Sequence, residues 1–330
     1  MQQRTLGKDG PQIGAIGLGC MSFAGAYGMS DAATSHRTLA RALELGVTHL
    51  DTAKIYGDGR SEEIIGAYLK ANPAARDRFV IATKGGIRTA PQRSVDNSPQ
   101  YLRECLEGSL ARLGVDHVAL YYIHRRDHSF PIEAVMETLL GFMAEGKIGS
   151  IGFSEIAPSS LERACAVGPV MAVQSEYSLW TRQPELGMLQ ACARHGVAFV
   201  AFSPLARGVI SREPFDPSKL ADGDFRKPMP RFNAENFPRN EACIARFRVW
   251  CADNGWSPAA AAIAWTLAQG DHVIPIPGTR FAENLAEDAE AGTRVLTAQE
   301  LAEVDTILPP GFAHGARYAE AMTNSVENYC

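Results

Sequence analysis

Eight times along the chain a short apolar run ends near a polar residue and is followed by a helix pattern. The runs are Ile16–Gly19, Thr48–Asp51, Phe79–Thr83, Val118–Ile123, Ile148–Phe153, Met171–Val173, Val197–Phe202 and Val273–Ile274. They are nearly continuous Val, Ile, Ala and Phe, as in parallel strands buried on both faces. Eight strand–helix units in about 300 residues predict an α/β chain folded as a (β/α)8 TIM barrel. A doubly wound sheet would carry G-x-G-x-x-G after its first strand. Here Gly17-Leu18-Gly19-Cys20-Met21-Ser22 stops at Ser22. The expectation is one domain over residues 1–330, a length usual for one barrel.

Two additions frame the barrel. Lys8-Asp9-Gly10 is a tight-turn signal and predicts an N-terminal β-hairpin within residues 4–13. Extra C-terminal helices are expected, one near Glu283–Ala291 and one opened by the capping box Thr297-x-x-Glu300. Ser30-Asp31, Ser98-Pro99 and Ser257-Pro258 mark further helix starts. Residues 203–240, rich in Pro, Arg and Phe, read as a long loop after a strand, and such loops are usually functional. The tail 309–330 reads as a cover for a pocket or a loose end.

Asp51, Lys84, His124, Ser154 and Gln174 each stand at the C-terminal end of a different strand. A barrel gathers those ends on one face, where active sites form. Singly, Lys84 is an ordinary loop lysine and His124 an ordinary core histidine. Five convergent exits are far harder to obtain by chance, so together they predict a site. Tyr56, on the loop above Asp51, is a candidate proton donor.

The remaining composition narrows the class. A net charge of −5 points to neither nucleic acid nor an anionic membrane. No apolar run approaches the ~18 residues of a membrane span, and the first residues lack a signal-peptide core. The seven cysteines form no C-x-x-C pair, which fits free thiols in a reducing, cytoplasmic setting. The eight histidines have no ligand spacing, so no metal is expected. G-x-x-x-x-G-K-[ST], H-E-x-x-H and G-x-S-x-G are absent from the sequence.

Asp51-x4-Tyr56-Gly57, Thr83-Lys84 and Leu120-Tyr121-Tyr122-Ile123-His124-Arg125 together resemble the aldo-keto reductase superfamily. Asp96-Asn97-Ser98-Pro99, Gln174–Arg182 and Phe202-Ser203-Pro204-Leu205 extend the likeness over nearly the whole chain. Ser154-Glu155 and Glu176–Trp180 look like the branch that holds perakine reductase and the auxin-induced-type enzymes. Other branches usually carry Asn where Glu155 stands.

The resemblance implies NADPH-dependent reduction of a small-molecule carbonyl, with hydride from the nicotinamide and a proton from Tyr56. Lys84 would favour the phenolate, Asp51 would hold Lys84, and His124 would orient the carbonyl oxygen. The implied cofactor site also takes in Met21 and Asp51. Ser154 and Gln174 would grip the carboxamide, and Phe202 would offer a ring face. Ser203, Leu205, Arg207 and Gly208 would wrap the pyrophosphate. The helix start at Gly278-Thr279-Arg280 is a phosphate site by its N–H groups and the Arg280 fork. The resemblance gives it the 2′-phosphate, and gives Glu287 and Asp288 the adenine. Phe281 stands where relatives often carry a basic residue, and Asp288 stands for Asn.

The competing functions are a regulatory barrel that binds cofactor and a protein partner, and a phosphate-binding barrel of other chemistry such as an isomerase. The chain starts directly at the hairpin, which speaks against a partner-binding extension. A monomer and a homo-oligomer are both compatible with the sequence.

Overall fold

The structure is a computed structural model and describes residues 1–323 and 325–329. Strands β1 (Gln3–Thr5) and β2 (Gln12–Gly14) pair antiparallel around the predicted turn. Then come β3 (Leu18–Gly19), β4 (His49–Asp51) and β5 (Val80–Gly85). A small hairpin, β6 (Ile87–Arg88) with β7 (Ser94–Val95), leaves the top of β5. The chain continues through β8 (Leu120–Ile123), β9 (Ile151–Ser154), β10 (Ala172–Glu176), β11 (Ala198–Phe202) and β12 (Val273–Ile276).

The eight long-range strands are parallel neighbours in chain order, from β3 to β12. Gly17 and Gly19 donate to the carbonyls of Pro275 and Pro277 at 3.0 and 2.9 Å, which joins the first strand to the last. The sheet is therefore the expected (β/α)8 barrel.

Side-chain direction follows the period of two. Ala82, Leu120, Tyr122, Ala172, Val200 and Ile274 form the cluster inside the barrel. Ile81, Tyr121, Phe153, Val173 and Phe199 point outward and pack with the helices. Gly152 makes room for Tyr122, since a Cβ there would stand 2.5 Å from the ring. Leu6 and Ile13 of the hairpin join the inner cluster. The hairpin lies where the strands begin, as Gly14 donates to Thr48 Oγ1 just ahead of β4. The hairpin leaves the opposite mouth uncovered.

The helix starts follow their caps. Asp31, Ser98 and Ser257 each accept a backbone N–H of the first turn, and both bonds of the Thr297–Glu300 capping box form. Such caps are worth about 1 kcal/mol each.

Two details depart from the sequence reading. Val118 and Ile148 form one isolated bridge ahead of the β8–β9 ladder instead of starting it. The long insert also ends sooner, because Phe237–Asp253 is a 17-residue helix. Its apolar face is Ile244, Phe247 and Cys251, interleaved with arginines and preceded by Asn and Pro, which obscures the period. Among the described residues no helix is long and apolar enough to cross a membrane.

Candidate active site

The inward set that fills the barrel also fixes what stands at its mouth. Lys84 lies two residues beyond Ala82, His124 two beyond Tyr122, and Ser154 two beyond Gly152. Gln174 and Phe202 follow Ala172 and Val200 in the same way. Equal parity turns all five toward the barrel axis. His124, Ser154, Gln174 and Phe202 join Asp51 in lining a cleft of about 650 Å³ at the C-terminal mouth, and Lys84 lies buried behind Asp51. That size suits a small-molecule ligand.

Lys84 is fully buried and Asp51 nearly so (0% and 2% exposed). Lys84 Nζ donates to Asp51 Oδ1, to the Thr52 carbonyl at 2.9 Å and to the Tyr56 hydroxyl at 3.3 Å. Gln174 Nε2 donates to the other Asp51 oxygen at 2.7 Å. One carboxylate thus holds both the ammonium and the carboxamide. Burial works against the Lys84 charge, yet Asp51 and the Tyr56 hydroxyl hold its pKa above the ordinary lysine value. The ammonium stays charged.

Tyr56 is half-buried, with its ring edge-on to His124 at 5.8 Å. Burial raises its pKa, and the nearby Lys84 pulls the other way without overcoming it. The expected lowering by Lys84 is present but is the smaller effect. Tyr56 therefore rests as a protonated phenol with a hydrogen to give. Burial, with Arg125, Lys84 and Arg93 around it, holds His124 well below the ordinary histidine value. A neutral imidazole has one N–H to donate.

Along one side of the cleft Met21, Phe202, Ser203, Leu205, Arg207 and Gly208 face Gly278, Thr279 and Arg280. Ser203, Ala206 and Arg207 have φ of 52°, 51° and 59°. Each left-handed non-glycine costs about 1–3 kcal/mol, and such strain collects at ligand sites. The turn is held from beneath. Arg226 donates to the Arg207 carbonyl at 3.0 Å, and Arg207 Nη2 reaches buried Glu176 at 2.5 Å. The Arg207 guanidinium is thus turned into the protein, leaving the backbone of its turn for a ligand. Arg280 donates to the Tyr27 carbonyl at 2.9 Å and lies 4.6 Å over the Phe281 ring.

Glu287 and Asp288 stand outside the cleft lining. Asp288 shares the inward face of the helix Ala282–Glu290 with Leu285 and Ala289. Burial, with Glu287 beside it, pushes its carboxyl well above the usual range. Glu287 pairs with Arg212 at 3.0 Å. Asn284, one turn earlier, borders the cleft in their place.

Sequence reasoning assigned no role to several residues of the site. Tyr27 meets Phe225 across the cleft, ring centroids 5.2 Å apart, with the Arg226 guanidinium 4.8 Å over Tyr27. Buried Glu155 accepts from Glu176 N–H at 2.8 Å and holds both Nη atoms of Arg317 in the tail. Glu327 accepts the Ala157 N–H at 2.7 Å. The tail therefore crosses the mouth, and Tyr318 and Met322 line the cleft. No local pattern signals contacts between residues 162 or 170 positions apart. Arg125 was legible beside His124 but carried no assignment.

The Aldo/keto reductase family model matches residues 15–309. The aldo-keto reductase yakc [NADP(+)] of Schizosaccharomyces pombe is 36% identical over 321 residues, covering 96% of this chain and 94% of that protein. A probable aldo-keto reductase 1 of Glycine max is 37% identical over 333 residues, covering 98% and 93%. Among solved structures, the glycerol dehydrogenase AKR11B4 of Gluconobacter oxydans superposes with a TM-score of 0.84 at 29% identity, covering 93% and 94%. The holo form of aldo-keto reductase AKR11C1 of Bacillus halodurans gives 0.74 at 26% identity, covering 97% and 99%. A family match over residues 15–309, with relatives aligned along nearly the whole length, makes this chain a member of the aldo/keto reductase family.

Proposed function

We propose that this chain, acting as a single domain, reduces the carbonyl group of a small molecule with NADPH, and that Tyr56 gives the proton to the oxygen. The observation that carries the reading is the buried Asp51–Lys84–Tyr56 chain opening beside His124 at the cleft floor. Membership of the family and the NADP(+) in a relative's name support it. Ser154-Glu155 and the Glu176–Trp180 run support the perakine reductase and auxin-induced-type branch.

The residues fit a dinucleotide. Ser154 and Gln174 offer polar atoms at the floor, Phe202 offers a half-buried ring, and the strained 203–208 turn faces Thr279, in the loop just ahead of the helix Ala282–Glu290, across one cleft. NADPH, when bound, supplies the hydride. Ser154 and Gln174 would hold its carboxamide, and Thr279 with Arg280 its 2′-phosphate.

The catalytic work of the chain is positional and electrostatic. His124, neutral, donates to the carbonyl oxygen and sets its direction. As negative charge grows on that oxygen, Tyr56 transfers its proton, and Lys84 stabilises the phenolate left behind. Asp51 keeps Lys84 in place. The test is to mix the protein with NADPH and 4-nitrobenzaldehyde and follow the nicotinamide absorbance. Aldehyde-dependent oxidation is expected. NADPH binding without turnover would favour a regulatory barrel, and no binding would remove the dinucleotide altogether.

A further inference from the structure

Five arginines border the cleft, namely Arg93, Arg125, Arg207, Arg226 and Arg280, and Asp51 is its one acidic residue among those described. Asp51 is committed to Lys84. Arg207 is paired with Glu176 and Arg226 with Asp224. Arg280 follows β12, at the end assigned to phosphate. That leaves Arg125 and Arg93, neither of which has a carboxylate partner among the described residues.

Arg125 is half-buried beside the catalytic floor. Its Nη1 donates to the His124 carbonyl at 2.6 Å and to Ser154 Oγ at 3.0 Å. These bonds fix the guanidinium plane. Its Nε and Nη2 have no acceptor among the described residues. That free edge carries two parallel N–H donors, the arrangement that binds both oxygens of a carboxylate. Ser154, the anchor, stands on β9, three places around the barrel from β12 and its phosphate turn. Arg93, on the exposed loop of the β6–β7 hairpin, lines the same cleft. A half-buried guanidinium without a counter-charge is costly, and two cations at one cleft mouth draw anions in.

We infer that the substrate is an oxo acid, an aldehyde or ketone that also bears a carboxylate, with the carboxylate seated on the Nε–Nη2 edge of Arg125 and drawn in by Arg93. This rests on the carbonyl-reducing reading of the site. The pull of Arg125 and Arg93 on the His124 pKa agrees with the placement of both charges near the carbonyl.

The test compares 4-carboxybenzaldehyde with its methyl ester, methyl 4-formylbenzoate, using NADPH and the full chain. The pair differs chiefly in charge, and the ester is the more electrophilic aldehyde, so intrinsic reactivity favours the ester. The wild-type kcat/KM is expected to favour the carboxylate by about tenfold or more, the scale of a charge-assisted contact. Added salt should raise KM for the carboxylate and leave the ester unmoved. Arg125→Met should abolish the preference, mainly through KM of the acid. Exposed Arg93→Gln, which poses no threat to folding, should reduce it several-fold at low salt. Equal or inverted preference in wild type overturns the inference, and so does a preference that survives Arg125→Met. Reduction of neither aldehyde by a protein that binds NADPH would instead overturn the carbonyl-reducing reading, and this inference with it.

Discussion

Replacing Lys84 by Met tests the buried pair at the centre of the site. Met keeps most of the length and loses the charge. Asp51 is then left 2% exposed, with Gln174 Nε2 at 2.7 Å as its remaining side-chain donor. Breaking a buried pair in this way costs about 3–5 kcal/mol. The protein can limit the loss by taking a proton onto Asp51. For a carboxyl that ionises near 3.9 in the unfolded chain, that proton costs about 4 kcal/mol at pH 7 and about 1.5 kcal/mol at pH 5. The deficit of the variant should therefore shrink as pH falls. The sign follows because the folded variant binds a proton that the unfolded chain has lost, so stability drops as pH rises above about 4. Urea melts of wild type and Lys84→Met at pH 7 and pH 5 measure this. Lys84→Met together with Asp51→Asn should recover part of the loss, since no charge is stranded. A variant as stable as wild type at pH 7, or a deficit that ignores pH, would mean that Lys84→Met strands no buried charge.

Three further outcomes follow. Arg280→Ala should lower the preference for NADPH over NADH by about tenfold to a hundredfold, the value of a charge-assisted contact; an unchanged ratio of kcat/KM would take Arg280 out of the 2′-phosphate site. Glu155→Gln should loosen the tail, because Arg317 loses its nearer carboxylate and keeps only Glu176 at 3.6 Å, and since Arg317 is 16% exposed the loss should fall at or below the low end of about 3–5 kcal/mol. Limited proteolysis should then cut residues 309–323 faster, and an unchanged digestion pattern would mean that the Glu155–Arg317 pair does not hold the tail. His124 is held below the ordinary histidine pKa by burial, then by Arg125, so the unfolded chain binds its proton first and stability falls as pH drops through about 6.5. His124→Gln should lose less stability than wild type between pH 7 and pH 5, as urea melts would show.

The barrel was legible because its strands are unbroken apolar runs, a pattern that parallel sheets impose. The gathering of Asp51, Lys84, His124, Ser154 and Gln174 was legible for the same reason. Each is a polar residue at the end of such a run, and in a parallel barrel those ends share one mouth. Other features had no local signal. The Glu155–Arg317 pair joins a strand exit to a tail that reads as patternless. Arg207 sits in a stretch that matches a cofactor loop, yet its side chain turns inward because Glu176 waits there, buried and needing a cation. Glu287 and Asp288, which the resemblance gives to the adenine, do not line the cleft. Asp288 falls on the face that packs inward with Leu285, and Asn284 takes the cleft side. The helix Phe237–Asp253 escaped because Asn236, Pro238 and several arginines break up a face that only packing reveals.

Tyr56, in the proposed reaction, supplies the proton to a carbonyl oxygen. Single-turnover hydride transfer from prebound NADPH to 4-nitrobenzaldehyde tests it most directly, with wild type and Tyr56→Phe side by side. Phe keeps the ring that packs edge-on to His124 and removes only the hydroxyl that Lys84 contacts at 3.3 Å. The expected rate is at least ~100-fold lower in the variant, with NADPH affinity, read by fluorescence titration, little changed. A Tyr56→Phe protein that transfers hydride at nearly the wild-type rate would contradict it.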